Sequence, residues 1–425
     1  MSQIIEYFKQ ISQIPHCSYE AKELFRFLVD FANQRGYDVQ TDSANNILVS
    51  KLGAKLCLQA HYDMVCMGKA PQIELIQQDN ILRAKESSLG ADNGIAIAMM
   101  MDLIDSGYEL EFLFTSDEEV GLIGASALEF DLQSKYMLNL DSEDEAEVYI
   151  GCAGGADIVA TFKSNLSNSK DRVYELSASG FVGGHSGVDI DKNIPSAIKA
   201  LALYMSKNSL EISSIYAGQR RNAIPSKAVA IVCSNKELHP TDEIKVRELN
   251  ESAKVLQKSL ELIKLLDNFK HGVIEYDSSL DIPRSSINLA MVNSYDEDSI
   301  TIECSARAMS MDELDEVVSR YKSYLESFGC EVEVVDKYPA WKPEITPFAR
   351  QVEESMKKVF GSSSFKAIHA GLECGVIAQK YPHIQFASIG PNIRYPHSTR
   401  EEVDLDSVDK IYEVLKDVIE KLVTP

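Results

Sequence analysis

Residues 56–63 read Leu-Cys-Leu-Gln-Ala-His-Tyr-Asp, a short apolar run that ends in an imidazole and a carboxylate. The run predicts a buried strand over residues 56–60, with His61 and Asp63 delivered at its carboxyl end. The same arrangement recurs along the chain. Residues 110–115 predict a strand followed by Ser-Asp-Glu118-Glu119, and residues 136–140 one followed by Asp141. Residues 385–389 predict another, and after the turn-rich Gly-Pro-Asn-Ile-Arg-Tyr-Pro comes His397. Helical spacing of apolar residues separates these runs, at 4–11, at 20–36 (Leu24, Phe27, Leu28, Phe31) and at 95–104. Alternation of this kind predicts an α/β domain: a mostly parallel sheet with helices on both faces.

The middle of the chain has a different rhythm. Strand-like alternation at 158–162 and 173–178 precedes a helix at 195–207. One long amphipathic helix is expected over 246–266, from Val246, Leu249, Ala253, Leu256, Leu260 and Ile263. Strands at 299–308 and 330–335 flank a further helix. An α+β domain inserted into the first accounts for this, and 425 residues exceed what one ordinary core holds. The expected organisation is 1–155 with 341–425 as the catalytic domain, and 156–340 as an inserted lid or dimerisation domain.

Composition excludes several classes. Hydrophobic residues at 45% and charged residues at 25% are globular values. Forty-two Lys and Arg against 65 Asp and Glu leave a net charge of -23, which repels nucleic acid and anionic membrane surfaces. No apolar run reaches the ~18 residues that span a bilayer, and MSQIIEYFKQISQIP lacks the pattern of a secretory signal. Eight scattered cysteines without a C-x-x-C pair predict free thiols, a reducing compartment and a cytoplasmic location. Cys66 and Cys152 are expected to pack rather than ligate. His16, His239, His271 and His383 are expected at the surface or in turns.

His61, Glu118, Glu119, Asp141 and His397 thus fall beyond strand ends, where open α/β sheets bind ligands, and Asp92 opens a helix in the same region. Any one of them alone is better explained as a cap or a solvated loop residue; capping does not explain their convergence on one rim. Imidazoles and carboxylates without thiolate are the ligand set of a catalytic site for zinc or a similar metal, and cobalt and manganese also suit it. Asp63, two residues from His61 in an extended segment, can accept the imidazole's other N–H.

LQAHYDMV, SLGADNGIAIA, LFTSDEEVGLIGA, NLDSED, IGCAGG, GGHSGVDI, RNAIP, YPAWKP, HAGLECG and PHSTREEVD together resemble the M20 family of metallopeptidases, more narrowly its aminoacyl-histidine dipeptidase branch. The resemblance runs the length of the chain. It implies two divalent metal ions, most commonly zinc, with Asp92 bridging them. His61 and Asp141 would complete one ion, and Glu119 and His397 the other. Glu118 would serve as general base and acid, Asp63 would orient His61, and His185 would stabilise the oxyanion, a residue that some relatives take from a partner subunit. Arg307 would hold the substrate carboxylate, although the usual R-S-S near it reads S-A-R-A-M-S here. Other departures are Ala60, where glycine is common, and D-K-N-I-P-S-A, where an Arg-Asn segment is usual. A cis peptide at Asp92–Asn93 and a homodimer through the inserted domain are further implications. His369 and Glu373 are candidates for substrate binding, with Glu373 meeting a free amino terminus; a glycine-rich turn with a capping glutamate accounts for them equally well. The activity implied is hydrolysis of short peptides. An N-acyl amino acid deacylase or a carboxypeptidase with the same metal centre is the alternative, and a non-catalytic binding protein is the reading from another class.

Overall fold

The computed structural model describes residues 3–296 and 298–423. The chain forms two compact units: Met1–Cys152 with Trp341–Ala367 and Leu372–Pro425, and Ala153–Ala340 with Ile368–Gly371.

The first unit is built on an eight-stranded sheet in the order Asp38–Thr41, Ile47–Ser50, Glu111–Thr115, Leu56–His61, Tyr136–Asn139, Gln385–Ser388, Glu147–Cys152, Ser364–Ile368. Every residue of Leu56–His61 is buried. Leu56, Leu58 and Ala60 share a core cluster with the helices Gln3–Ile11 and Ala91–Asp105, while the alternate Cys57, Gln59 and His61 are equally closed off. Both faces of that strand are therefore covered, as a parallel strand with helical crossovers requires. Ala91–Asp105 buries twelve of its residues, so it is an internal helix and not an amphipathic one.

The parallel part is narrower than the sequence predicts. Leu56–His61 runs parallel to Glu111–Thr115 and to Tyr136–Asn139, and Gln385–Ser388 runs parallel to Tyr136–Asn139. Ile47–Ser50 and Glu147–Cys152 join these four antiparallel. The five residues between Asp38–Thr41 and Ile47–Ser50 leave only a hairpin, because a parallel crossover needs a dozen or more. Asp42 Oδ1 accepts the N–H groups of Ala44 and Asn46 to form that turn.

The second unit holds a nine-stranded sheet in which the pairings among the described residues are antiparallel, with Gly154–Lys163 and Ser299–Ala308 among its long strands. The helices Ala197–Asn208, Ser259–Asn268 and Met311–Glu326 contribute to its core. The long helix expected over 246–266 is not there. Ile244–Leu249 is a strand paired with Arg172–Ala178, Lys254–Leu256 is a short strand, and only Ser259–Asn268 is helical. The apolar spacing misled because strand pairing outweighs local period; Leu260, placed on the buried stripe, is 60% exposed. Ser259 breaks the segment, its Oγ donating to Leu256 O and accepting from Ile212 N–H.

Two further expectations fail. Cys17 and Cys66 are joined in a disulfide across 49 positions, whereas the other six cysteines are free and buried. His16 is buried, its Nδ1 bonded to Ile14 O, and His271 Nδ1 accepts the Leu289 N–H. His239 and His383 are exposed. Among the described residues no helix is long and apolar enough to cross a membrane.

Candidate active site

Parallel pairing sets His61 opposite Thr115, Gln59 opposite Asn139, and Asn139 opposite Ser388. The carboxyl ends of four strands thus form one edge, and the chain leaving them carries the reactive groups. Asp92 reaches the same place from the start of Ala91–Asp105. There Gly90 takes a left-handed φ of 70°, and a Cβ on it would lie 2.9 Å from Met64 Sδ. Asp92 itself is non-helical (φ -81°, ψ 102°), and the Asp92–Asn93 peptide is cis.

The Asp92 carboxylate lies between two imidazoles. Its Oδ1 is 3.1 Å from His61 Nε2, and its Oδ2 is 3.1 Å from His397 Nε2. Asp141 Oδ1 lies 3.4 Å from His61 Nε2 and also accepts from Asn93 Nδ2; Glu119 Oε2 lies 2.9 Å from His397 Nε2. Ligand atoms of His61, Asp92 and Asp141 fall within 4.8 Å of one another, as do those of Asp92, Glu119 and His397, and those of His61, Glu118 and Glu119. Asp92 belongs to two of these groups.

Asp63 is placed differently from its expected role. His61 Nδ1–H donates to the Asp63 main-chain carbonyl at 3.0 Å, with the carboxylate at 3.6 Å. The carboxylate instead accepts the Glu118 N–H (2.9 Å) and the Ser18 hydroxyl (2.7 Å). Burial works against its charge, but His61, Ser18 and the Glu118 N–H outweigh burial and hold the carboxyl below its usual range.

The charges are crowded. Burial, then Asp141, Glu119 and Glu373, drive Glu118 well above the ordinary carboxylate value. Burial and Asp92 push Glu119 up to about 7, and burial with Asp92 and Asp141 pushes Glu143 up to about 9. For His61 and His397 burial opposes protonation, yet the facing carboxylates prevail and raise both imidazoles. Glu119 Oε1 is buried without a hydrogen-bond partner. Converging carboxylates, two imidazole Nε2 atoms and an orphaned buried oxygen are a donor set that fits hard or borderline divalent cations.

Glu373, at the start of the helix Glu373–Lys380, is fully buried in this unit. Its Oε2 accepts from Gln59 Nε2 (2.5 Å) and Thr115 Oγ1 (2.7 Å), its Oε1 has no partner, and burial raises its pKa to about 7. It makes no backbone cap.

The remaining candidates belong to the second unit. His185 Nδ1 accepts the N–H groups of Gly187 (3.1 Å) and Val188 (3.4 Å), which puts the proton of the neutral ring on Nε2. Arg307, 7% exposed, bonds Tyr338 OH through Nη1 while its Nε is buried without a partner. His369 is bonded to Ser286 Oγ at 2.7 Å; burial and the Arg307 charge lower it to about 3, so the ring is neutral. HAGLECG therefore divides, His369 going to one unit and Glu373 to the other.

Sequence reasoning missed Ser18, the Asn93 side chain and Glu401, whose carboxylate accepts the N–H groups of Leu89, Gly90, Ala91 and Asp92. In Arg-Glu-Glu-Val-Asp nothing local distinguishes Glu401 from Glu402, which bonds Arg83.

Comparison with known proteins places the chain in a family. The model of peptidase family M20/M25/M40 matches residues 57–421. The cytosol non-specific dipeptidase of Escherichia coli (strain K12) is 31% identical over an alignment 472 positions long, covering 98% of this chain and 96% of that protein. The crystal structure of aminoacylhistidine dipeptidase from Vibrio alginolyticus superposes with a TM-score of 0.83 at 28% identity, covering 99% of this chain and 96% of that one. A tripeptidase from Staphylococcus aureus, 16% identical with a TM-score of 0.62 over 99% of this chain and 98% of its own, shares the fold. With that match across most of its length, and with its imidazole and carboxylate groups gathered at the strand ends, the chain belongs to peptidase family M20/M25/M40.

Proposed function

We propose that the protein is a dipeptidase that works with two divalent ions, zinc in the first instance, and cleaves aminoacyl-histidine or a broader range of dipeptides. The observation that carries this reading is the Asp92 carboxylate, shared between the His61–Asp141 and Glu119–His397 sets. Those five residues would hold the ions, Asp92 touching both. Ions there supply Lewis acidity, lowering the pKa of an adjacent water. The relatives in E. coli and Vibrio alginolyticus are named for dipeptide hydrolysis, which favours the same substrate class.

The chain's own residues then have distinct tasks. Glu118 takes the proton of the attacking water and returns it to the leaving amine; a buried carboxyl with a raised pKa suits both transfers. Asp63 anchors the Glu118 backbone and, through its carbonyl, the His61 ring. His185 donates Nε2–H to the carbonyl oxygen as charge develops, the tautomer its Nδ1 contacts favour. Arg307, steadied by Tyr338 and beside the neutral His369, receives the substrate carboxylate. The free Oε1 of Glu373 meets the substrate ammonium, and that anion favours a dipeptidase over an N-acyl amino acid deacylase or a carboxypeptidase.

Metal analysis with a panel of carnosine, Gly-His, Ala-Ala, a tripeptide and an N-acetyl amino acid tests this. About two ions per chain and chelator-sensitive cleavage of the dipeptides are expected. Cleavage of the acetylated compound alone would transfer the protein to the deacylase reading, and absence of both metal and turnover would refute the centre. We assign a cytoplasmic location, the compartment in the E. coli relative's name. The Cys17–Cys66 bridge opposes it, and thiol counting on protein quenched inside cells decides between them. The second unit, Ala153–Ala340 with Ile368–Gly371, is assigned the lid and homodimer role; light scattering of the intact protein tests the dimer.

A further inference from the structure

Glu401 is 3% exposed and belongs to no ligand group, yet it makes more backbone contacts than any carboxylate beside the centre. Its Oε2 accepts Leu89 N–H at 2.7 Å and Gly90 N–H at 3.1 Å, and its Oε1 accepts Ala91 N–H at 2.8 Å and Asp92 N–H at 3.3 Å. A helix start leaves its first N–H groups unpaired, and burying them unpaired is costly. Gly90, the residue before Ala91–Asp105, has no side chain to cap them, and Met64 leaves no room for one. The missing cap comes from 309 positions further along the chain.

Capping alone does not account for the choice of group. A serine or asparagine caps a helix without charge. Here a buried carboxylate accepts the Asp92 N–H at 3.3 Å, which sets a second acidic side chain next to Asp92. The arrangement is unfavourable for the bare chain and favourable once cations sit beside it. Glu401 is also four residues past His397, and its own N–H closes the turn onto Ser398 O at 3.2 Å. One side chain thereby ties the segment carrying Asp92 to the segment carrying His397.

We propose that Glu401 is a positioning residue for the metal centre: by taking all four N–H groups from Leu89 to Asp92 it aims the Asp92 carboxylate between His61 and His397 before any ion arrives, and it adds a buried negative charge behind it. The proposal rests on Asp92 being the shared ligand. Both oxygens are needed. In Glu401→Gln the amide NH₂ faces two N–H donors, and in Glu401→Asp the side chain is one methylene too short.

The test uses metal-free full-length protein titrated with Zn²⁺ against a chromophoric chelator, and with Co²⁺ while its visible spectrum is followed. Glu401→Gln and Glu401→Asp are expected to bind about 10–100-fold more weakly with an altered Co²⁺ spectrum. Glu402→Gln, which removes the carboxylate bonded to Arg83, leaves both unchanged. Hydrogen exchange on metal-free wild-type protein is an independent readout that needs no variant. The amides of residues 89–92 are expected to be protected, and to lose protection in Glu401→Gln. Zn²⁺ affinity within twofold of wild type in a folded Glu401 variant overturns the proposal, as do unprotected amides in the metal-free wild type. If Glu401→Gln does not fold, the wild-type exchange and Glu401→Asp decide. A wild-type chain that binds no divalent ion removes the metal reading itself, an outcome distinct from either.

Discussion

Replacing Asp63 by asparagine separates two tasks that the site assigns to one side chain. The carboxylate accepts from the Glu118 N–H and from Ser18 Oγ, and it stands 3.6 Å from His61 Nδ1. Asparagine keeps the shape and one acceptor oxygen but loses the charge. Bonds to an ionised acceptor are roughly twice as strong as neutral ones, so the two contacts together weaken by about 2 kcal/mol. For a unit of this size that lowers Tm by roughly 4–8 °C. The lost charge acts separately on the imidazole. At 3.6 Å and an effective dielectric of about 20, two full charges interact by no more than about 4–5 kcal/mol. A ligating ring carries only part of a charge, so a 10–100-fold loss of metal affinity, about 1.4–2.7 kcal/mol, is expected. Calorimetry of the metal-free variant and chelator competition measure the two effects. Asp63→Asn with wild-type metal affinity and wild-type kcat/KM would refute the argument, since the carboxylate would then be a scaffold for Ser18 and Glu118 alone. A variant that loses metal without losing stability would refute the hydrogen-bond half.

Glu118→Gln is expected to retain its metal while kcat falls about 10²–10⁴-fold; single-turnover hydrolysis of a metal-replete variant checks this, and near-wild-type rates remove Glu118 as the base. Reduction of the Cys17–Cys66 bridge, or Cys17→Ala with Cys66→Ala, reopens a 49-residue loop and is expected to cost up to about 4 kcal/mol in urea denaturation. An unchanged midpoint would mean that the hydrogen bonds between residues 16–19 and Met64, Asp63 and Asp117 hold that segment unaided. His271 makes stability depend on pH: burial, then Lys199, lowers it from 6.5 to about 4 in the fold. The unfolded chain therefore takes up a proton first as pH falls. The contribution is complete above about pH 6.5 and is lost between there and about pH 4, by up to about 3 kcal/mol. Urea midpoints at pH 7.5 and 5 should fall less for His271→Gln, which can still accept the Leu289 N–H; equal slopes would place the effect elsewhere.

What could be read from the chain alone was local. Apolar runs that stop at His61, Thr115 and Asn139 mark strands covered on both faces, because such strands have no polar side to alternate with. Since parallel strands all end at one edge, His61, Glu118, Glu119 and Asp141 had to meet once those runs lay side by side. Asp92 and His397 arrive there by a helix start and a long turn; position along the chain placed them near the rim, and only the resemblance along the whole chain assigned Asp92 the shared place between the two sets.

Everything decided by partners distant in sequence was closed to that reading. The stretch 246–266 has helical spacing, but a strand at 172–178 offers it a ladder and wins. Scattered cysteines carry no sign that folding brings Cys17 onto Cys66. Asp63 could reach the ring of His61 from its place in the chain, yet Ser18 and the Glu118 N–H, folded against it from both sides, claim its carboxylate. Only the tertiary structure separates Glu401 from Glu402, for the reason that separates the rest: burial and the N–H groups awaiting an acceptor belong to the folded surroundings, and side-chain identity encodes neither.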